Sequence, residues 1–361
     1  MSVDTQRPEK DAPLDLPPVP LVQGQLPNWA PWGAFAAAAV VAAGLVALIG
    51  FNIALFVVAT VILFAVGLYV ASRMVEGPRK ATDRLVTVVV GSAFGLAMIP
   101  LISVIFTVIG NGIARFDAEF FSSSMRGVIG EGGGAYHAIL GTLIITALAA
   151  VISIPVGLLT AVYLVEYGKG RLARSITFFV DVMTGIPSIV AGLFAIALFT
   201  AFFGAGIRFG FIGAVALSVL MIPVVVRATE EMLRIVPNEL REAAYALGVP
   251  KWRTITKVVI PTAVAGIASG ITLAIARVIG ETAPLLLTTG LATSLNLNPF
   301  DGRMQSLPVF AYNSYVSPGS SGSFSIDRAW TAALVLIIIV MILNLVARLI
   351  ARTFAPKTSG R

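Results

Sequence analysis

Apolar runs of about 20 residues recur along the whole chain, and this decides the class of fold. A helix of that length, rising 1.5 Å per residue, crosses a hydrocarbon layer roughly 30 Å thick. Eight such runs fall at about 31–50, 52–72, 85–109, 138–163, 176–203, 211–228, 259–290 and 329–351. Their length and their lack of period-2 alternation predict helices, not barrel strands. The expected fold is therefore all-α, a polytopic membrane protein with about eight spans. Of 361 residues, 57% are hydrophobic and only 12% charged, with mean hydropathy +0.93. A soluble domain carries about twice that share of charge.

Four spans carry marks of irregularity. The first two are separated only by Gly50-Phe51-Asn52, a very short turn. Gly185-Ile186-Pro187 should kink the fifth, and the seventh is long and contains Pro284, so it should break near there. Gly91-x3-Gly95 and Gly266-x3-Gly270 match the small-xxx-small pattern of close helix packing. Residues 1–30 are polar and Pro-rich, without the short apolar core of a signal peptide, and read as a disordered tail.

Lysine and arginine set the orientation. With the N-terminus inside, inner segments hold nineteen of the 25 basic residues, outer segments hold Arg115, Arg126, Arg208, Arg303 and Arg328, and Arg277 lies within a span. Both termini are expected in the cytoplasm. The net charge of +7 follows from this bias, so lipid is the expected surroundings and no nucleic-acid partner is required. The outer loops 110–137, with its Gly-Glu-Gly-Gly-Gly run, and 291–328 read as partly flexible. The segment from Ser306 reads as a short interfacial helix or a partner contact. His137 reads as a residue at the outer edge of a span, without a special role.

One charged stretch, Val236 to Pro261, is expected on the cytoplasmic side. Leu240, Ala243, Ala244 and Leu247 form one apolar stripe at helical spacing. Gly248 should end that helix and Pro250 start the next. Trp252, Ile255 and Val259 form a second stripe leading to Pro261. The result is a helix–Gly–helix elbow with an alanine face. It suits either a groove in another protein or the lipid interface.

Inside the seventh span stand Arg277 and Glu281. A charge at mid-membrane costs about 2.5–3.5 kcal/mol on insertion scales, so such a pair is a functional candidate. It reads either as a salt bridge that locks helices or as an anion site. A guanidinium matches an oxyanion, Glu281 can accept the proton of a phosphate hydroxyl that sulfate lacks, and Thr282 adds a donor. Asp181, early in the fifth span, reads as an interfacial charge or a pathway residue. Glu230 and Glu231 read as solvating the inner end of the sixth span.

Other chemistry is missing from the sequence. There is no cysteine, which excludes disulfides and thiolate metal sites, and one histidine leaves little for metal binding. No G-x-x-x-x-G-K-[ST] phosphate loop is present, so ATP hydrolysis by that route is excluded. No catalytic constellation rises above chance.

The stretch EAAYALGVPKWRTITKVVIP resembles the EAA loop of ABC importer permeases, through Glu242-Ala243-Ala244, Gly248 and the ending Val258, Ile260, Pro261. The resemblance implies a coupling helix seated in a cleft of an ATPase subunit, with Glu242 making polar contacts there and Gly248 the turn. The run ARVIGETAPLLLT resembles the signature of phosphate-specific ABC permeases, of the PstA type. It implies the transmembrane domain of a type I ABC importer, with a six-helix core over 85–355 and extra N-terminal helices over 31–84. It also implies a PstC-type permease partner, two ATPase subunits that use ATP and Mg, and an extracytoplasmic phosphate-binding protein. The chain itself would bind no cofactor and would not be an enzyme. Its place would be the bacterial plasma membrane. A permease for another oxyanion, such as sulfate or molybdate, a stand-alone ion-coupled carrier and a non-transporting membrane scaffold are the rival readings.

Overall fold

The computed structural model describes residues 24–50, 52–319 and 322–354. Of the tail expected at 1–30, residues 1–23 lie outside them, as does the tail expected at 356–361; residues 24–29 are described, and Leu26 N donates to Glu76. The described chain is helical, and it divides into two compact units, one up to Val104 and one from Ile105 onward.

In the first unit, α1 (Ala30–Ile49) and α2 (Ile53–Val75) form a hairpin followed by the first part of α3 (Pro78–Gly112). The tight turn between α1 and α2 works because Asn52 caps α2, its Oδ1 accepting from the amides of Ala54 at 2.9 Å and Leu55 at 3.3 Å. Ala38, Ala42 and Val46 on α1 and Leu68 on α2 are buried. Between α2 and α3, Glu76 is buried and accepts from Arg84 (Nε at 2.6 Å, Nη2 at 2.8 Å), Ser72 Oγ at 2.7 Å and Leu26 N at 2.9 Å. These donors, Arg84 first, hold its carboxyl at about 2, against an ordinary 4.5.

In the second unit, a short α4 (Ala118–Ser122) leads to α5 (Tyr136–Val162), whose end carries a π-helical turn at Tyr163–Tyr167. Next come α6 (Arg171–Thr184), α7 (Ser188–Phe203), α8 (Gly210–Ile235), α9 (Asn238–Ala246) and α10 (Lys251–Thr254). A second π-helical turn at Ile255–Val259 runs into α11 (Ile260–Val278), followed by α12 (Ala283–Thr288), α13 (Leu307–Val316) and α14 (Gly322–Phe354). The core is centred on α5 and α8, where Ile145, Ala149, Leu217, Met221 and Val225 are buried. Small residues set the approach. A Cβ at Gly157 would meet Val225 Cγ1 at 2.6 Å, and one at Gly270 would meet Ala228 Cβ at 2.5 Å. The Gly266-x3-Gly270 pattern thus packs α11 on α8, whereas a Cβ at Gly91 or Gly95 would meet nothing within 4 Å among the described residues.

Among the described residues seven helices, counting the continuous Lys251–Val278 as one, are long and apolar enough to span a membrane. The fifth expected span is different: α6 and α7 are bent by 109° to each other, with Gly185-Ile186-Pro187 in the bend. The seventh also breaks, since α11 ends at Val278 and Pro284 lies in the first turn of α12. Both sequence breaks are real, and the first is far sharper than a kink.

At the loop end of the helices, the glycine run is held, not loose. Arg328 Nη1 donates to the carbonyls of Gly130 at 2.8 Å and Gly132 at 2.9 Å, while Arg115 donates to those of Gly132 and Gly133 at 3.2 and 3.0 Å. The segment after Ser306 is the packed helix α13, with Leu307, Val309 and Phe310 buried. His137, in the first turn of α5 and so at the edge of its span, is buried, its Nε2 3.3 Å from Gln305 Oε1 and its ring edge-on to Phe310.

Candidate functional site

Two places gather the residues that the sequence singled out. The first is a cavity of about 170 Å³ where three helix irregularities meet: the α6–α7 bend, Pro223 inside α8, and the α11–α12 break. Its lining includes Thr184 and Ser188 from the bend, Pro223 and Val224 from α8, and both Arg277 and Glu281. The break changes how these two charges relate. Because α11 stops at Val278, Glu281 stands in the turn, with its amide donating to Val278 O at 3.1 Å. The two do not share a helix face, and the ion pairs among the described residues do not include this one. The reading of a self-neutralising lock is therefore not what the geometry shows. A cation and an anion border one small cavity instead.

Thr282 stands at the N-cap of α12, where its carbonyl accepts from Leu286 N at 2.9 Å, and is not part of the lining. The hydroxyl residues in the lining are instead Ser188 and Thr184, the latter with its Oγ1 donating to Asp181 O at 2.6 Å, and neither stands out in the sequence. Asp181 is also outside the cavity. It is ion-paired with Arg227, joining α6 to α8. Arg227 Nη1 also donates to Glu230 at 2.8 Å, and Arg234 donates to Glu230 at 2.6 Å. Glu230 is buried between two guanidiniums, so it ties the end of α8 together; only Glu231 is exposed.

The second place is the elbow. Gly248 takes φ +74°, a left-handed backbone that costs an L-residue roughly 1–2 kcal/mol. Its amide donates to Tyr245 O at 2.9 Å and the amide of Val249 to Ala244 O at 3.1 Å, the paired closure of a Schellman end. Pro250 is the N-cap of α10, one residue earlier than the first-turn position expected. Pro261 is exposed in the first turn of α11. Of the first stripe only Ala244 is buried, at 8% exposure, whereas Leu247 is 84% exposed; Glu242, Ala243 and Trp252 are exposed too. The chain therefore leaves an apolar surface with an acidic side chain uncovered at this tip. In the second stripe Ile255 and Val259 are buried.

Beneath the tip lies a network that the sequence does not announce. Arg241 donates from Nε and Nη2 to one oxygen of Glu166, at 3.0 and 2.9 Å, and also to the carbonyls of Val236 at 2.6 Å and Leu233 at 3.0 Å. Lys251 Nζ donates to the backbone carbonyl of Glu166 and stands 4.7 Å from the Tyr167 ring centroid. Arg241 and Glu166 are 75 residues apart, and no local pattern links them.

Residues 153–360 match the model of the family described as binding-protein-dependent transport system inner membrane component. The chain belongs to this family. The permease is 50% identical over 275 residues to the phosphate transport system permease protein PstA 1 of Mycobacterium tuberculosis, covering 75% of this chain and 89% of that one. It is 38% identical over 284 residues to PstA of Pasteurella multocida, covering 78% and 97%. Among solved structures, a bacterial alginate ABC transporter chain superposes with TM-score 0.54 at 13% identity, covering 75% of the permease and 95% of that chain. This likeness concerns the fold alone: the permease has the transmembrane fold of an ABC importer.

Proposed function

We propose that this permease is the PstA-type transmembrane subunit of an ATP-driven importer of inorganic phosphate. The observation that carries the reading is the cavity bordered by Arg277 and Glu281 and cradled by three helix breaks. Charges persist in an apolar bundle where they face a pathway, and broken helices bring backbone groups and polar side chains to it. At ~30 Å³ per water, the cavity has room for one oxyanion and a few waters. Arg277 supplies a guanidinium for the phosphate oxygens, Glu281 accepts from a protonated phosphate oxygen, and Ser188 offers a hydroxyl. Relatives named as phosphate permeases support this substrate over sulfate or molybdate.

The elbow fits the coupling role. Glu242, Ala243 and the turn at Gly248 would meet an ATPase subunit, and Pro261 marks the entry of α11 into the membrane. Two such ATPases would supply the energy from ATP and Mg. A PstC-type permease would complete the pathway, and a phosphate-binding protein would deliver substrate at the opposite end. The excess of basic residues on the elbow side supports a cytoplasmic position for that side and for both termini. A stand-alone carrier is not favoured, because the family works within binding-protein-dependent systems. The test is uptake of radiolabelled phosphate into vesicles. Uptake that needs ATP and the ATPase subunits supports the reading, and uptake driven by an ion gradient in this chain alone overturns it.

A further inference from the structure

We propose that Glu166 is a positioning residue that latches both arms of the elbow to the end of α5, so that a push on the elbow moves α5, α8 and α11 together. This rests on reading the elbow as the ATPase contact.

Three observations converge on it. Glu166 is buried, and each arm of the elbow reaches it separately: α9 through Arg241 to the carboxylate, and α10 through Lys251 to the carbonyl. Arg241 simultaneously satisfies two carbonyls at the end of α8, so one guanidinium joins three elements. Finally, the two π-helical turns, Tyr163–Tyr167 and Ile255–Val259, stand at the two roots of this junction. Such turns interrupt the helical ladder and recur at functional sites.

The physical consequence follows from the covering of the tip. Residues Glu242, Ala243 and Leu247 are exposed, and the short α9 makes few buried contacts of its own, Ala244 being its one buried residue. Without the latch, a displacement of the tip would be absorbed by rotation of α9 about the Gly248 turn. With it, the load passes through charge-assisted hydrogen bonds, which are stronger and more directional than neutral ones. Since α5 packs along α8, and α8 lines the Arg277 cavity through Leu220, Pro223 and Val224, a movement of α5 and α8 reaches the cavity walls.

The experiment uses the assembled transporter in proteoliposomes, measuring phosphate taken up and ATP hydrolysed in the same sample. Glu166→Ala is expected to keep the ATPase subunits bound and hydrolysing while phosphate moved per ATP falls at least about fivefold, the lower end of usual coupling strengths. Glu166→Gln, which keeps an acceptor oxygen for Arg241, is expected to recover part of that ratio. A merely structural residue would change assembly and both rates together. Should Glu166→Ala fail to assemble, Lys251→Met and Arg241→Lys each loosen one arm, and each must lower the ratio. A wild-type ratio in the variants that assemble overturns the latch. A wild-type transporter that shows no ATP-dependent phosphate uptake overturns instead the transport reading on which the latch rests.

Discussion

The cavity and the elbow base use the same side-chain chemistry in opposite states. At the elbow base, Arg241 and Glu166 are each other's partners, both nearly buried, and the guanidinium has two carbonyls besides. At the cavity, Arg277 and Glu281 border one space without pairing. A buried charge with every donor placed holds elements in position. A cation and a carboxylate held apart over a cavity leave their hydrogen-bonding capacity for something that enters it. The difference separates a structural ion pair from the recognition site proposed at Arg277 and Glu281, and spacing in the sequence does not reveal it: the i, i+4 pair is the open one, and the pair 75 residues apart is the closed one.

The comparison can be broken first at the elbow base. Arg241→Met leaves Glu166 buried without its cation, and removing one partner of such a pair costs about 3–5 kcal/mol. A clear drop in thermal stability of the detergent-extracted protein is expected, and an unchanged melting temperature would show that the pair holds nothing. Gly248→Ala forces a side chain into the left-handed backbone, at a cost of about 1–2 kcal/mol. Nothing among the described residues lies within 4 Å of a Cβ there, so the effect is backbone strain, read as weaker co-purification of the ATPase subunits.

At the cavity, Glu281→Gln should lessen the preference for phosphate over sulfate by about tenfold, or ~1.4 kcal/mol, in competition uptake. Stability should change little, because Glu281 has no ion-pair partner among the described residues to lose. Unaltered discrimination would remove Glu281 from recognition. The smallest effect concerns Glu76, in the first unit. Its folded value of about 2 lies below the ordinary 4.5, so its contribution to stability is complete above 4.5 and is lost as pH falls toward 2. Arg84→Gln should make the wild-type and variant stabilities converge across that window, measured by acid titration of protease resistance. Parallel curves would contradict the assignment.

Much of the fold could be read from the sequence because hydropathy and helix breakers act locally. Apolar runs located the helices, Gly185-Ile186-Pro187 and Pro284 marked two real breaks, and Gly248 marked the turn. The 109° bend was not readable, since Gly and Pro permit a bend while packing against α8 and α12 fixes its size. Arg277 and Glu281 stood out because a charge in an apolar run is conspicuous. Thr184 and Ser188 did not, since hydroxyls are common in helices and only the bend turns these two toward the cavity. The roles of Glu166, Glu230 and His137 depend on partners brought together by folding, and Gly130–Gly134 looked flexible until two arginines from distant segments closed on its carbonyls.

The most direct test is ATP-driven phosphate uptake by proteoliposomes that hold the complete transporter, comparing wild type with Arg277→Gln. The account predicts that the variant assembles and hydrolyses ATP but that its phosphate uptake falls to background. Uptake by Arg277→Gln at the wild-type rate would contradict it, since the oxyanion would then cross without the guanidinium at the break in α11.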